Sequence, residues 1–178
     1  MSNSNVDELL KAVSKIKMAI FDVDGVMTDG GITYDDTGHE FKTFNAKDGQ
    51  GLVMLGRAGI KTAVITARTS PIVTKRFETL GVTRIYQGQK NKLNALEDLV
   101  YEFDLKYEQM AYMGDDLPDM CVLRKVGLPS CPLDSVSEVI KACKFVSSKN
   151  GGKGAVRELC DLILKNSEMI LREKSDEK

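Results

Sequence analysis

Ile20-Phe21-Asp22-Val23-Asp24-Gly25-Val26-Met27-Thr28-Asp29-Gly30 carries an apolar run of strand character, begun at Met18, into two carboxylates spaced i, i+2 and then a glycine. Two ionised carboxylates about 4 Å apart repel by roughly 4 kcal/mol at an effective dielectric constant near 20. Such a pair calls for a cation or a shared proton. Mg2+, which takes a few carboxylates together with water and phosphate oxygens, meets that need. The pair also stands where open α/β sheets bind their ligands, at the carboxyl end of a strand.

The same grammar recurs further along the chain. Met110-Ala111-Tyr112-Met113-Gly114-Asp115-Asp116-Leu117-Pro118-Asp119 is a second apolar strand that runs through a glycine into three aspartates. If the two strands are parallel neighbours, both acidic knots face one crevice. A single knot would be explained by helix capping or a turn, whereas two at strand ends favour a hard cation. A calcium loop starting at Asp22 fails, because Val26, Met27 and Thr33 fall where oxygen ligands, glycine and glutamate are required. Gly151-Gly152-Lys153-Gly154 likewise lacks the Lys-Ser/Thr of a P-loop.

A third strand end, Ala63-Val64-Ile65-Thr66-Ala67-Arg68-Thr69-Ser70-Pro71, offers a hydroxyl and a guanidinium. Ser70 is its expected N-cap and Pro71 the first residue of the next helix. Thr66 suits a phosphoryl oxygen and Arg68 a carboxylate or phosphate. Asn91-Lys92 opens another helix. A carboxylate nucleophile beside a phosphate dianion needs a fixed cation, for which Lys92 is the candidate.

Strands are expected at 18–23, 61–66, 84–86, 110–113, 127–129 and 144–146, with helices at 49–57, 71–80, 92–103, 117–126, 135–142 and 154–171. This alternation predicts a doubly wound, Rossmann-like α/β fold with a mostly parallel sheet and helices on both faces, as one domain over 1–178. Residues 31–44 break the rhythm as a β-hairpin around Asp35-Asp36-Thr37-Gly38, expected to project from the sheet and to expose Tyr34, Phe41 and Phe44. His39, the only histidine, sits in its turn and reads as solvated. The charged tail 172–178 is expected to fray.

A net charge of −1 gives no broad positive field, so no nucleic-acid partner is expected. No run suits a membrane span and the polar start does not read as a signal peptide, so a cytoplasmic protein is expected. Cys121, Cys131, Cys143 and Cys160 are widely spaced and read as buried thiols rather than disulfides or zinc ligands.

Asp22-Val23-Asp24-Gly25, Thr66, Lys92 and Gly114-Asp115-Asp116-Leu117-Pro118-Asp119, in this order, resemble the motif set of the haloacid dehalogenase superfamily of phosphohydrolases. The resemblance implies that Asp22 is a nucleophile forming an aspartyl phosphate and a Mg2+ ligand. Asp24 would protonate the leaving oxygen, later activate water, and bind the metal through its carbonyl. Asp115 would be a third metal ligand, with Asp116 or Asp119 steadying the metal shell and Lys92. Crowding by like charge raises a carboxyl pKa in the direction an acid role requires.

The spacing between these motifs leaves no room for a cap domain. More narrowly, residues 16–170 resemble capless, homotetrameric members of the superfamily that act on a phosphorylated keto sugar acid, through 44–51, 66–68, 81–88 and 151–158. That resemblance implies substrate contacts from Asn45, Ala46, Lys47, Asp48, Gly49, Arg68, Arg76, Arg157, Asp24 and Lys92, with Arg76 expected near the start of its helix. The glycine-rich segment would close an active site, its own or a neighbour's, and the hairpin of a neighbouring subunit is the favoured cover. Arg68 favours an eight-carbon over a nine-carbon substrate. Ala67 and Ser135 depart from the usual pattern without touching the catalytic set. A non-catalytic scaffold of the same fold would bind phosphate or metal without needing the second carboxylate of the first motif, and a phosphomutase would need the missing cap.

Overall fold

A computed structural model describes the backbone of residues 3–176 and the side chains of 6–166. Six strands, β1 (Met18–Phe21), β4 (Lys61–Ile65), β5 (Arg84–Tyr86), β6 (Met110–Met113), β7 (Leu128–Cys131) and β8 (Phe145–Val146), form one parallel sheet in the order β5-β4-β1-β6-β7-β8. The chain builds outward from β1 through β4 to β5, then returns to lay β6, β7 and β8 on the other side. β1 therefore lies at the point where the winding reverses. The carboxyl ends of β4, β1 and β6 open there into one crevice.

The strands show why the sheet is covered twice. Ala19 and Phe21 of β1, Val64 of β4, and Ala111 and Met113 of β6 enter one core, packed by α2 (Ala46–Arg57), α3 (Pro71–Thr79) and α7 (Ala155–Asp176). Met18 and Ile20, Ala63 and Ile65, and Met110 and Tyr112 enter the other, beneath α4 (Lys92–Phe103), α5 (Met120–Leu123) and α6 (Ser137–Ala142). Alternation across the pleat divides each uninterrupted apolar run between two cores.

Several expectations need correction. An unanticipated helix, α1 (Asn3–Val13), precedes the sheet; Val13 is buried and Leu9 and Ala12 pack on the first core. Its apolar positions follow helical spacing behind a start of poor helix formers, which hid it. The helix expected at 117–126 divides into a 3-10 turn at Leu117–Asp119 and the short α5, broken where Pro118 sets the turn. α2 begins three residues early, because Asn45 caps it by accepting from the Lys47 amide at 2.8 Å. Ser70 stands before Pro71 at the start of α3, but its side chain makes no capping bond.

The hairpin is present as β2 (Thr33–Tyr34) paired antiparallel with β3 (Glu40–Phe41). Ile32, Tyr34 and Phe41 are exposed, whereas Phe44 turns inward and meets Phe77 edge-on at 5.7 Å. His39 is exposed and bonds Asp35. Cys131 and Cys160 are buried and Cys121 and Cys143 half-buried, all as free thiols. α7 continues as helix through Asp176, so 172–176 of the tail expected to fray are helical in backbone, while 177–178 and the side chains of 167–178 lie outside the described residues.

Candidate active site

Asp22 follows β1 directly, and its amide donates to the Met113 carbonyl at 3.0 Å, tying it to the end of β6. Asp115 follows β6 after Gly114. One carboxylate oxygen from each of Asp22, Asp115 and Asp119 lies within 4.8 Å of the other two. The crowding anticipated between Asp22 and Asp24 is thus relocated. The chain turns after Phe21, so Asp22 faces Asp115 and Asp119 while Asp24 is directed to other partners.

Lys92, first residue of α4, brings the compensating charge. Its ammonium lies 2.9 Å from Asp22 Oδ2 and 2.7 Å from Asp119 Oδ1, with the side chain 3% exposed. Asn91 caps α4 by accepting from the Leu93 amide, which fixes where that lysine leaves the helix. Below it the Tyr112 hydroxyl, sealed in the second core, donates to Asp119 Oδ1 at 2.5 Å and lies 3.4 Å from Lys92 Nζ. The other Asp119 oxygen accepts from the amides of Asp115 and Asp116 at 2.9 and 3.2 Å. Asp116 itself caps the 3-10 turn. Tyr112 reads in sequence only as an apolar strand residue.

The electrostatics follow from burial. Desolvation pushes the Asp22 carboxyl up to about 6, against the pull of Lys92 and with Asp119 adding to the rise. Burial, then Asp22 and Asp119, push Asp115 up to about 7, again against Lys92. Burial also works against the Lys92 ammonium, but Asp22 and Asp119 outweigh it and hold its pKa above the ordinary value. Three carboxylates thus share one buried cation, and the group is short of positive charge. A small divalent ion with oxygen preference fits that deficit. Gly25 (φ +87°) brings the backbone against Asp115, and a Cβ there would run into the Asp115 carboxylate.

Thr66 follows β4, is 3% exposed, and is pinned by backbone bonds to Tyr86 and Gln89. Asp24 and Arg68 meet the chain's own hairpin. Asp24 Oδ1 pairs with Lys42; Arg68 donates to Glu40 at 2.7 Å and to the Tyr34 hydroxyl at 2.6 Å, and its Nε lies 3.7 Å from Asp24 Oδ2. Lys42, Glu40 and Tyr34 were not singled out for this by the sequence. A lysine just past a hairpin strand reads as solvated.

The remaining expected substrate contacts have structural partners here. Asn45 donates to the Gly152 carbonyl at 3.2 Å besides capping α2. Asp48, fully buried, accepts from the amides of Gly154 at 3.2 Å and Arg157 at 2.8 Å, so it caps α7 and anchors the glycine-rich segment. Ala46 and Lys47 fall in the first turn of α2. Lys47 and Arg157 line an open basic groove of about 480 Å³ with Lys149, Lys153 and Lys165, and Arg157 Nε bonds Asp161 at 2.8 Å. Arg76 lies in the last turn of α3 rather than near its start. It packs on Gly49 and stacks over Phe44 at 5.9 Å with Nε buried and unpartnered. Gly152 donates to the Val26 carbonyl at 2.9 Å, so the glycine-rich segment lies against the loop carrying Asp24 of its own chain.

A parallel sheet whose point of reversal gathers strand-end aspartates, a threonine and a lysine in this order is the architecture of a haloacid dehalogenase-like hydrolase. The chain belongs to that family, whose model matches residues 62–159. It is 42% identical over 158 residues to the 3-deoxy-D-manno-octulosonate 8-phosphate phosphatase KdsC of Yersinia pestis, covering 89% of this chain and 84% of that protein. It is 43% identical over 160 residues to KdsC of Escherichia coli K12, covering 90% and 85%. The Moraxella catarrhalis 3-deoxy-D-manno-octulosonate 8-phosphate phosphatase, determined with a magnesium ion, a phosphate ion and a KDO molecule, superposes with a TM-score of 0.90 at 37% identity, covering 97% and 99%.

Proposed function

We propose that this protein is a Mg2+-dependent phosphatase that hydrolyses 3-deoxy-D-manno-octulosonate 8-phosphate to the free sugar acid and inorganic phosphate. The observation that carries the reading is the Asp22 carboxylate 2.9 Å from the Lys92 ammonium with an Asp115 oxygen within 4.8 Å, in a chain so similar along its length to KdsC. Asp22, Asp115 and the Asp24 carbonyl would hold Mg2+, which when bound neutralises phosphoryl charge.

In the first half-reaction a bond forms between an Asp22 oxygen and phosphorus as the bond to the sugar oxygen breaks. Asp24 delivers a proton to that oxygen, while Thr66 and Lys92 hold the phosphoryl oxygens. In the second, water attacks the aspartyl phosphate, Asp24 takes its proton, and phosphate leaves with Asp22 restored. Lys92 is held by Asp119 and Tyr112 and needs no rearrangement to offset developing charge. Arg68 would meet the sugar acid, with Asn45, Ala46, Lys47, Asp48, Gly49, Arg76 and Arg157 forming or supporting its surroundings.

We place the protein in the cytoplasm as a homotetramer; among the described residues no helix is long and apolar enough to cross a membrane. The exposed Ile32, Tyr34 and Phe41 support association through the hairpin. The test is phosphate release from the eight-carbon 8-phosphate and the nine-carbon 9-phosphate, each with Mg2+ and with chelator. The reading expects a higher kcat/KM for the eight-carbon substrate and loss of turnover with chelator. Equal values remove the substrate assignment, and no release from either favours a non-catalytic scaffold.

A further inference from the structure

Lys42 lies just after β3 on a hairpin whose Tyr34 and Phe41 are more than half exposed, yet its own side chain is 1% exposed. Its ammonium pairs with Asp24 Oδ1 and lies 3.5 Å from Glu40 Oε1. Glu40 in turn receives Arg68, and Arg68 Nε approaches Asp24 Oδ2. Four charges of alternating sign, Asp24, Lys42, Glu40 and Arg68, close into a ring. A buried ammonium is costly unless opposite charges surround it, and a flexible lysine on an exposed hairpin would otherwise stay in water.

The ring treats the two Asp24 oxygens differently. Oδ1 is taken by a direct ion pair. Among the described residues Oδ2 meets Arg68 Nε at 3.7 Å, beyond a hydrogen bond, and is otherwise left open. We propose that Lys42 is a positioning residue for the reaction: by holding Asp24 Oδ1 it turns Oδ2 toward the leaving oxygen. This inference rests on the acid/base role of Asp24. Lys42 itself exchanges no proton; the proton on Oδ2 moves to the departing sugar oxygen as its bond to phosphorus breaks, and water's proton returns to Oδ2 as the aspartyl phosphate opens.

The test uses leaving groups of different need. A sugar phosphate expels an alkoxide that must be protonated, whereas a nitrophenyl phosphate expels a stabilised phenolate that need not be. For Lys42→Met we expect kcat to fall about 100-fold on the sugar phosphate and less than about tenfold on the nitrophenyl phosphate. Lys42→Arg, which restores a cation, should recover most of the sugar-phosphate rate. Lys42→Gln repeats the comparison if the methionine variant does not fold. Equal losses on both substrates, or no rescue by arginine, would overturn the inference. Asp24→Asn separates the two ideas. If it discriminates between leaving groups and the Lys42 variants do not, Lys42 is a structural residue alone. If it does not discriminate, the acid/base reading of Asp24 fails and the role of Lys42 falls with it.

Discussion

At the scale of single residues, position along the chain says less than the direction in which a side chain leaves the backbone. Asp22 and Asp24 are separated by one residue, yet one is held by Lys92 and the other by Lys42. Gly25 sits between these environments, and its left-handed φ and its closeness to Asp115 both require the absent Cβ. Gly25→Ala should therefore displace Asp115 and weaken the cation site. The half-saturating Mg2+ concentration for activity should rise at least about tenfold, the equivalent of 1.4 kcal/mol. An unchanged Mg2+ titration would mean that Asp115 is not a ligand. Asp22, Asp115 and Lys92 are legible as candidates in the sequence because each follows an apolar strand or opens an amphipathic helix. Lys42 and Tyr112 are not. The partner of Lys42 lies 18 residues away, and the Tyr112 hydroxyl is concealed in an ordinary strand pattern.

At the scale of elements, six strands and most helices follow from apolar runs and period, because each buries the face that its pattern displays. The exceptions are elements defined by their partners. α1 is stabilised by packing against α7, with the Asn166 side chain donating to the Leu10 carbonyl at 3.3 Å. The start of α2 is concealed by Gly49 and Gly51, although Gly49 accommodates Arg76 and Gly51 packs against Cys160. Asp48 is the clearest case: a carboxylate just before Gly49 reads as a loop ligand, but it caps a helix more than 100 residues away. Asp48→Ala leaves two part-buried amides without their acceptor and should cost about 2 kcal/mol in urea unfolding. A loss below about 0.5 kcal/mol, as at a neutral surface position, would contradict that role.

At the scale of the whole molecule, the fold holds a charge imbalance that the cation relieves. The carboxyls of Asp22 and Asp115, raised to about 6 and about 7 from an ordinary 3.8, bind protons more tightly folded than unfolded. Their contribution to stability without metal is therefore full below about pH 4 and is lost as pH rises through 6 to 7. Mg2+ should raise Tm more at pH 8 than at pH 5, where protons compete for the same oxygens. A Tm gain independent of pH would place the ion elsewhere. The chain inserts only the hairpin and α2 between β1 and β4, and only α3 and β5 between β4 and α4. The hairpin's contact with Asp24 and Arg68 supplies within one chain part of the cover that the sequence led us to expect from a neighbour.

Attack of Asp22 on phosphorus is read out by acid-quenching a single turnover of 32P-labelled substrate with Mg2+ and mapping the label by peptide. A transient acyl phosphate should appear on the peptide containing Asp22. It should be absent from Asp22→Asn, with turnover lowered on the order of 10^4-fold. Label on another residue, or an Asp22→Asn variant that retains most of its Mg2+-dependent turnover, would contradict attack by Asp22.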